Sequence, residues 1–419
     1  MLNPKYLIGG LKMKRKKRWI SLYGRTLLIL TSFLIMILAY SIHAEGGQKK
    51  LLMGASLPLT GPGASYGIPD KRAQELAIEE INSSGGITVG GENYILKLLI
   101  EDNKYSTKDA VATVNKLVRD KGVKFMRVFG TPPCLATLDF MNKMKIINGS
   151  LSSSRKLISP KYPYTFRTYN TSYEVLPPLF KWVKKNMPDI KKIQAIVMDD
   201  ATGKAIGDAL LISARYFNLE LEVNYIPRRT KDFYPVLTKV LAKRPDAIYA
   251  AGGSNWGLVF KSAREMGFKG QFLSSTFKSE WWKMVGTEKL EGYLHCEPSL
   301  TSELVPKGLR DYREAYIAKY KEEPTGLSTY GYIWIHVLSA AIKMADSVSD
   351  ADKIKNILET QTLLTKAGKF VFGGKEFYGI PHQLVRPGYI TQIKKGKEVT
   401  IEVIPAARVF ELLRNVYKQ

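Results

Sequence analysis

From residue 51 onward the apolar and polar positions follow two alternating periods. Short apolar runs at 51–55, 94–101, 123–129 and 145–148 have the length of strands. Between them apolar residues recur every three or four positions, as in Ala73, Leu76, Ala77 and Ile81, or Val111, Val114 and Val118. Asn82-Ser83-Ser84-Gly85-Gly86 stops the first helical run, and Ser106-Thr107-Lys108-Asp109 reads as a capping box opening the second. The alternation then restarts, with helices predicted at 173–187, 205–217, 233–240 and 256–266 and strands at 193–198, 220–226, 247–251 and 271–274. The last part differs: two long helices (306–320 and 328–345), a shorter one (353–359), a glycine-rich stretch (368–379) and two strands (389–394 and 398–403). Strands separated by helices of this length imply parallel sheets covered on both faces. The fold class is therefore α/β, and the repetition points to two doubly wound lobes, with a ligand held beyond the carboxyl ends of their strands.

Residues 1–44 break the pattern. A basic stretch, Lys12-Met13-Lys14-Arg15-Lys16-Lys17-Arg18, precedes an apolar run at 27–39 and the closing Ile42-His43-Ala44. This is the order of a cleaved export signal, and the apolar run is short for a spanning helix of about 20 residues. A retained N-terminal anchor is the alternative. No Cys follows the run, which argues against a lipoprotein anchor. The net charge of +25 falls to +17 once the eight Lys and Arg of residues 1–44 are set aside. The remaining cations are scattered without an aromatic-interleaved cluster, so they read as a solvated surface and no nucleic-acid partner is expected. Cys134 and Cys296 are far apart and expected to be free thiols, and the four His residues show no metal-ligand spacing.

The loop SLPLTGPGASYG (56–67) poses the functional question. Gly61-x-Gly63-x-x-x-Gly67 misses the dinucleotide fingerprint by one residue, and no phosphate-cradling Gly-x-x-x-x-Gly-Lys-Ser/Thr is present. The acidic pair Glu101-Asp102 lies about 35 residues beyond Gly67, where the fingerprint expects roughly 20. No Ser/His/Asp set can be assembled from the sequence, so an enzyme is not expected. No cofactor is expected.

LPLTGPGASYG followed by INSSGGI and EDNKYSTKDAVATVNKLV resembles the type I periplasmic binding proteins, most closely the leucine/isoleucine/valine-binding family that serves ABC importers. The likeness continues through FGTPPCLAT, INGSLSSSRKLI, YTFRTYNTS, IVMDDATGKAIGDAL, DAIYAAGG, AREMGFKGQFLSS and Gly-Ile-Pro-His-Gln at 379–383, about 350 residues in all. It implies a signal peptide at 1–44, an N-terminal lobe from 45–168 plus 298–372, and a C-terminal lobe from 169–297 plus 373–419. Three hinge crossings would lie near 167–169, 296–298 and 372–379. It also implies a periplasmic or extracytoplasmic monomer that closes over a small organic ligand and works with a membrane permease. A ligand-sensing domain of a signalling system is the alternative.

Carried over residue by residue, the resemblance implies these binding positions: Tyr66 as an aromatic cover; Thr131, Pro132, Pro133 and Cys134 after the third strand; and Ser152 and Ser153 in the serine cluster. The second lobe would add Ile206, Ser254, Asn255, Thr276 and Phe277. Relatives hold the ligand carboxylate with backbone N–H groups and hydroxyls of the first two loops. They hold an ammonium with a carboxylate where this chain has Thr276, and a tyrosine gives way to Ile206. The implied ligand is therefore a carboxylic acid, aromatic or aliphatic, without an α-ammonium group. Glu280, four residues on, is the acidic group that a shifted register would bring in.

Overall fold

The computed structural model of the chain describes residues 49–253, 255–278 and 280–417. The segment read as an export signal lies outside them. Strand β1 (Lys49–Leu57) runs through a 3-10 turn (Gly61–Gly63) into helix α1 (Ala64–Ser83), followed by β2 (Ile87–Val89) and β3 (Glu92–Asp102). Helix α2 (Thr107–Asn115), β4 (Phe125–Val128), α3 (Thr131–Lys143), β5 (Ile147–Ser150) and β6 (Thr165–Arg167) complete the first pass. The chain then crosses over and builds α4 (Ser172–Asn186), β7 (Lys192–Met198), α5 (Ala201–Tyr216), β8 (Glu220–Ile226) and α6 (Tyr234–Ala242). After these come β9 (Ala247–Ala251), α7 (Trp256–Glu265), β10 (Gln271–Leu273), α8 (Glu280–Val285) and β11 (Leu294–His295). It returns with α9 (Lys307–Tyr320), α10 (Thr329–Ala345) and α11 (Ala351–Thr360), then the short strands β12 (Leu363–Thr365), β13 (Gly368–Phe370) and β14 (Phe372–Gly373). Helix α12 (Lys375–Tyr378) and β15 (Gln383–Leu384) lead to a last crossing into β16 (Gly388–Lys394), β17 (Lys397–Ile404) and α13 (Ala406–Tyr417).

Two sheets result, ordered β14-β15-β6-β5-β4-β1-β3-β2 and β17-β16-β11-β10-β9-β7-β8. Pairing is parallel along β15-β6-β5-β4-β1 and along β11-β10-β9-β7-β8, with antiparallel pairs at β2–β3, β14–β15 and β11–β16–β17. Apolar side chains bury each sheet on both faces. In the first lobe α1, α9 and α10 cover one face and α2 and α3 the other. In the second lobe α4 and α5 oppose α6 and α7. The expected α/β architecture of two lobes is what the chain adopts.

Three departures have physical causes. Helix α1 begins nine residues before its apolar period, because Asp70 and Gln74 on its buried face are polar and mask the stripe. Ser106 Oγ does accept the Asp109 N–H (3.3 Å), but Val111 is 40% exposed and only Val114 and Val118 face the core. The third crossing was expected within 372–379 and instead falls at 385–387. The glycine-rich stretch turns back on itself, and Gln383 pairs with Arg167 on β6, which keeps 373–384 with the first sheet.

The buried polar face of α1 has a partner. The guanidinium of Arg127 on β4 grips Asp70 with two bonds, Nε to Oδ1 (2.8 Å) and Nη2 to Oδ2 (2.6 Å), and reaches Thr168 Oγ1 (3.2 Å) at the first crossing. Neither side chain of the pair is more than 1% exposed. Removing one partner strands a buried charge, whereas removing both does not. Arg127→Met should therefore lower the unfolding free energy by about 3–5 kcal/mol in urea titration, and Arg127→Met combined with Asp70→Leu should lose markedly less. Equal losses in the single and double variants would refute a coupled pair.

Candidate functional site

The loops at the carboxyl ends of both sheets enclose a cavity of about 100 Å³ between the lobes. The glycine-rich loop is braced there rather than free to wrap a phosphate. Asp102, at the end of β3, accepts from the N–H of Leu59 (2.8 Å) and the hydroxyl of Thr60 (2.5 Å) as well as the N–H of Lys104 (2.9 Å). Burial pushes this carboxyl up, but the Thr60 hydroxyl and the three backbone donors outweigh it and hold the group below its ordinary range. Lys104 and Tyr105 are both left-handed (φ 50° and 59°), unusual for residues with side chains. Asn103 Oδ1 accepts the Tyr105 N–H (2.9 Å), and this turn aims the phenol into the cleft. Gly130 (φ 108°) is required beside it, since a Cβ there would sit 2.9 Å from the Tyr105 ring.

Four polar contacts close the mouth of the cleft. Tyr66 donates to the Gly253 carbonyl (2.6 Å), and Tyr105 shares a hydrogen bond with Thr202 Oγ1 (2.6 Å). Arg228, on the loop after β8, lies 4.4 Å over the Tyr105 ring and is paired with Asp200 (2.5 Å), the N-cap of α5. Lys278 donates to Ser65 Oγ (2.7 Å) and stands 3.7 Å over the Tyr66 ring. Apart from the Arg228–Asp200 pair, which lies within the second lobe, each of these joins the first lobe to the second.

The positions expected from sequence divide into two groups. Tyr66, Thr131, Ser153, Ile206 and Thr276 line the cavity. Ser153 Oγ is 3.0 Å from the Tyr169 hydroxyl, and its N–H donates to Thr131 Oγ1 (2.9 Å). Pro132, Pro133, Cys134, Ser152, Asn255 and Phe277 do not line it. The two prolines occupy the first turn of α3, where they remove N–H donors that an anion site would need. Cys134 Sγ donates to the Val128 carbonyl (3.2 Å) within the first-lobe core. Ser152 is 1% exposed and its hydroxyl accepts the Ser154 N–H (3.3 Å), the role of a turn residue. Phe277 packs edge-on against Trp281 and stacks on His295 in the second-lobe core. Asn255 heads α7. Ser254 and the side chain of Glu280 lie outside the described residues.

Sequence reasoning missed the groups that set the electrostatics of the cavity. Arg228 is mostly buried, and beside Arg229 it reads in sequence as part of a solvated charge run; its place after a parallel strand was the available signal. Glu297, on the second crossing, follows Cys296 and lines the cavity floor. Burial pushes its carboxyl up to about 8, with the nearby Glu398 adding to the effect, so it is mainly protonated at neutral pH. Tyr169 and Tyr330, from the first crossing and α10, pack edge to face (5.6 Å) beneath the first-lobe wall. Among the described residues, no group of three His, Cys, Asp or Glu is arranged to hold a metal ion.

A two-lobe α/β fold enclosing a cavity between the lobes defines the class. Residues 51–398 match the sequence profile of the periplasmic binding protein family, and the chain belongs to it. It is a solute-binding protein of a family that acts outside the cytoplasm, and the family's members are binding proteins rather than enzymes. The chain is 28% identical to the Leu/Ile/Val-binding protein BraC3 of Rhizobium johnstonii over 365 residues, 83% of this chain and 93% of that protein. Its fold matches the LivJ substrate-binding protein of Streptococcus pneumoniae crystallised with isoleucine (TM-score 0.70, 23% identity, 85% of this chain and 99% of that one). It also matches a Rhodopseudomonas palustris solute-binding protein crystallised with benzoate (TM-score 0.73, 17% identity, 85% and 96%). The family resemblance read from the sequence is borne out.

Two predictions follow from this geometry. Tyr105→Phe removes the bridging hydroxyl on Thr202 and should weaken ligand binding about 3- to 10-fold, at roughly 1 kcal/mol per lost bond, by favouring the open state. Small-angle scattering should then show a more extended ligand-free form, and an unchanged profile and affinity would exclude a latch. Cys134 and Cys296 are both buried free thiols, and burial raises both, Cys134 to about 12. Neither should react with an aromatic disulfide reagent in the native state at pH 8, and both should react after denaturation.

Proposed function

We propose that the chain is the exported solute receptor of an ABC importer, and that its ligand is a small carboxylic acid with an aromatic or aliphatic body and no α-ammonium group. The supporting observation is the charge carried by the cavity wall. Arg228, paired with Asp200, supplies the one cation of the described lining, and the one acidic side chain among these residues, Glu297, is held mainly protonated near pH 7. Thr276, at the position where the family resemblance implies a carboxylate for the ammonium, lines the cavity and carries no charge. A wall of Tyr66, Phe129, Tyr169, Tyr330, Ile206 and Val175 suits a flat or branched apolar body. Ser153 and Arg228 would take the acid group, the latter by a charge-assisted bond. The benzoate-bound R. palustris protein shares this fold. Export through residues 1–44, closure about the three crossings, action as a monomer and delivery to a permease belong to the same proposal.

A branched-chain amino acid is the second reading, favoured by Glu297 Oε1, a buried oxygen with no hydrogen-bond partner among the described residues. An entering ammonium would ionise and satisfy it. The relative named for leucine, isoleucine and valine points the same way.

Calorimetry at pH 7 separates the two. Benzoate or a branched aliphatic acid should bind more tightly than leucine, isoleucine or valine. Arg228→Met should cost the acid about 10- to 100-fold, the equivalent of roughly 1.5–3 kcal/mol for a charged hydrogen bond. Ser153→Ala should weaken binding as well, while Ser152→Ala should act on stability alone. Micromolar binding of leucine that Glu297→Gln abolishes would overturn the acid reading.

A further inference from the structure

Glu297 faces two spaces at once. On one side is the ligand cavity, and on the other a separate cavity of about 460 Å³ walled by hydroxyl-bearing residues and by the charged Lys397, Glu398 and the paired Arg313 and Glu323. The side chain is only 7% exposed. One oxygen accepts a long bond from the Phe277 N–H (3.4 Å) and packs so closely on Gly326 that a Cβ there would lie 2.5 Å from it. The other oxygen has no hydrogen-bond partner among the described residues, and no ion pair among them involves this carboxyl. A glutamate buried in this way, without a cation in contact, carries a proton more readily than a charge.

The surrounding charges fit that state. Glu398 on β17 repels an ionised Glu297, and is itself 3.2 Å from Nε2 of His295 on β11. Lys278, after β10, and Arg386, on the third crossing, attract the ionised form. The ammonium of Lys278 is bonded to Ser65 across the cleft, and the Arg386 guanidinium lies 4.6 Å over the ring of Tyr330 on α10. Tyr330, Tyr293 and Cys296 also face the carboxyl, and all three are held neutral by burial.

We propose that Glu297 is a specificity-determining residue that carries a proton in the ligand cavity and exchanges it through the polar cavity behind. Its protonation state sets which ligand charge the floor accepts. The direction of exchange rests on the acid reading above. An anion enclosed in the same cavity as Glu297 raises the affinity of this carboxyl for its proton, so capture of an acid near pH 8 takes a proton up. The apparent affinity then falls as pH rises above the value of the empty site, by up to about tenfold per pH unit. A ligand ammonium would do the reverse and release the proton.

The test combines two measurements on wild type and Glu297→Gln, a change that keeps the shape and a neutral polar group. In protein labelled with ¹³C at the glutamate carboxyls, one carboxyl should titrate near pH 8 in the wild type and vanish in the variant. Absence of that signal, or its persistence in the variant, overturns the proposal whatever the ligand is. Calorimetry of benzoate at pH 8, in two buffers of different ionisation heat, should show uptake of roughly half a proton that the variant lacks. Identical proton exchange in both proteins also overturns it. Proton release on leucine binding, lost in Glu297→Gln, would support the role of Glu297 and overturn the acid reading instead.

Discussion

The relation between the lobes depends on one buried charge cluster at the first crossing. Arg167, the last residue of β6, is fully buried and donates to Gln383 Oε1 (2.6 Å), the Ser154 carbonyl (3.2 Å) and Glu174 Oε1 (3.2 Å). Glu174 belongs to the other lobe. Its second oxygen accepts the backbone N–H and the hydroxyl of Thr171 (both 2.6 Å), which makes it the N3 member of the capping box that starts α4. One carboxylate thus ends the first lobe and begins the second. Gln383 extends the cluster to the third crossing by donating to the Tyr169 carbonyl (2.9 Å), and Tyr378 donates to Glu174 from above. Such a cluster is stable only when complete, because an unpaired member would be a charge stranded in the interior.

Away from the crossings the lobes meet through a different kind of contact. The mouth of the cleft is held by single hydrogen bonds and ring–cation contacts from the partly exposed Tyr66, Tyr105 and Arg228 and from the buried Lys278. Individually such contacts contribute about 1 kcal/mol. Two separately packed cores, a satisfied charge cluster at the first crossing and weaker contacts at the mouth are what the proposed rotation of the lobes as bodies would require. A ligand that touches both walls adds its own contacts to the latches, and this difference between open and closed states is what binding can use.

The cavity carries two acid–base groups of different kinds. An arginine paired to a helix-capping aspartate stands at the mouth, and a protonated glutamate lies on the floor. The first is a fixed charge and the second is conditional, since its ionisation depends on what enters. Aromatic rings fill the space between them, with polarity confined to a few hydroxyls. On the proposed reading, the wall residues would set shape and the two acid–base groups would set charge.

Much of this was legible in the amino-acid order alone. The strand and helix periods, the restart of the pattern after residue 170 and the failed nucleotide fingerprint specify two parallel-sheet lobes and an inter-lobe cleft, because backbone periodicity is a local property. The strand pattern placed the cleft beyond the carboxyl ends of the strands, and the family resemblance implied which loops border it. Which side chain within a loop faces the ligand was decided elsewhere. Cys134 turns to the Val128 carbonyl and Phe277 to Trp281 because the nearest unfilled space lies in the core, and Ser152 is consumed by its own turn. Arg228 and Glu297 are ordinary charges in sequence. Only the packed structure removes them from water, and a charge acquires its meaning from the solvent and partners it has lost.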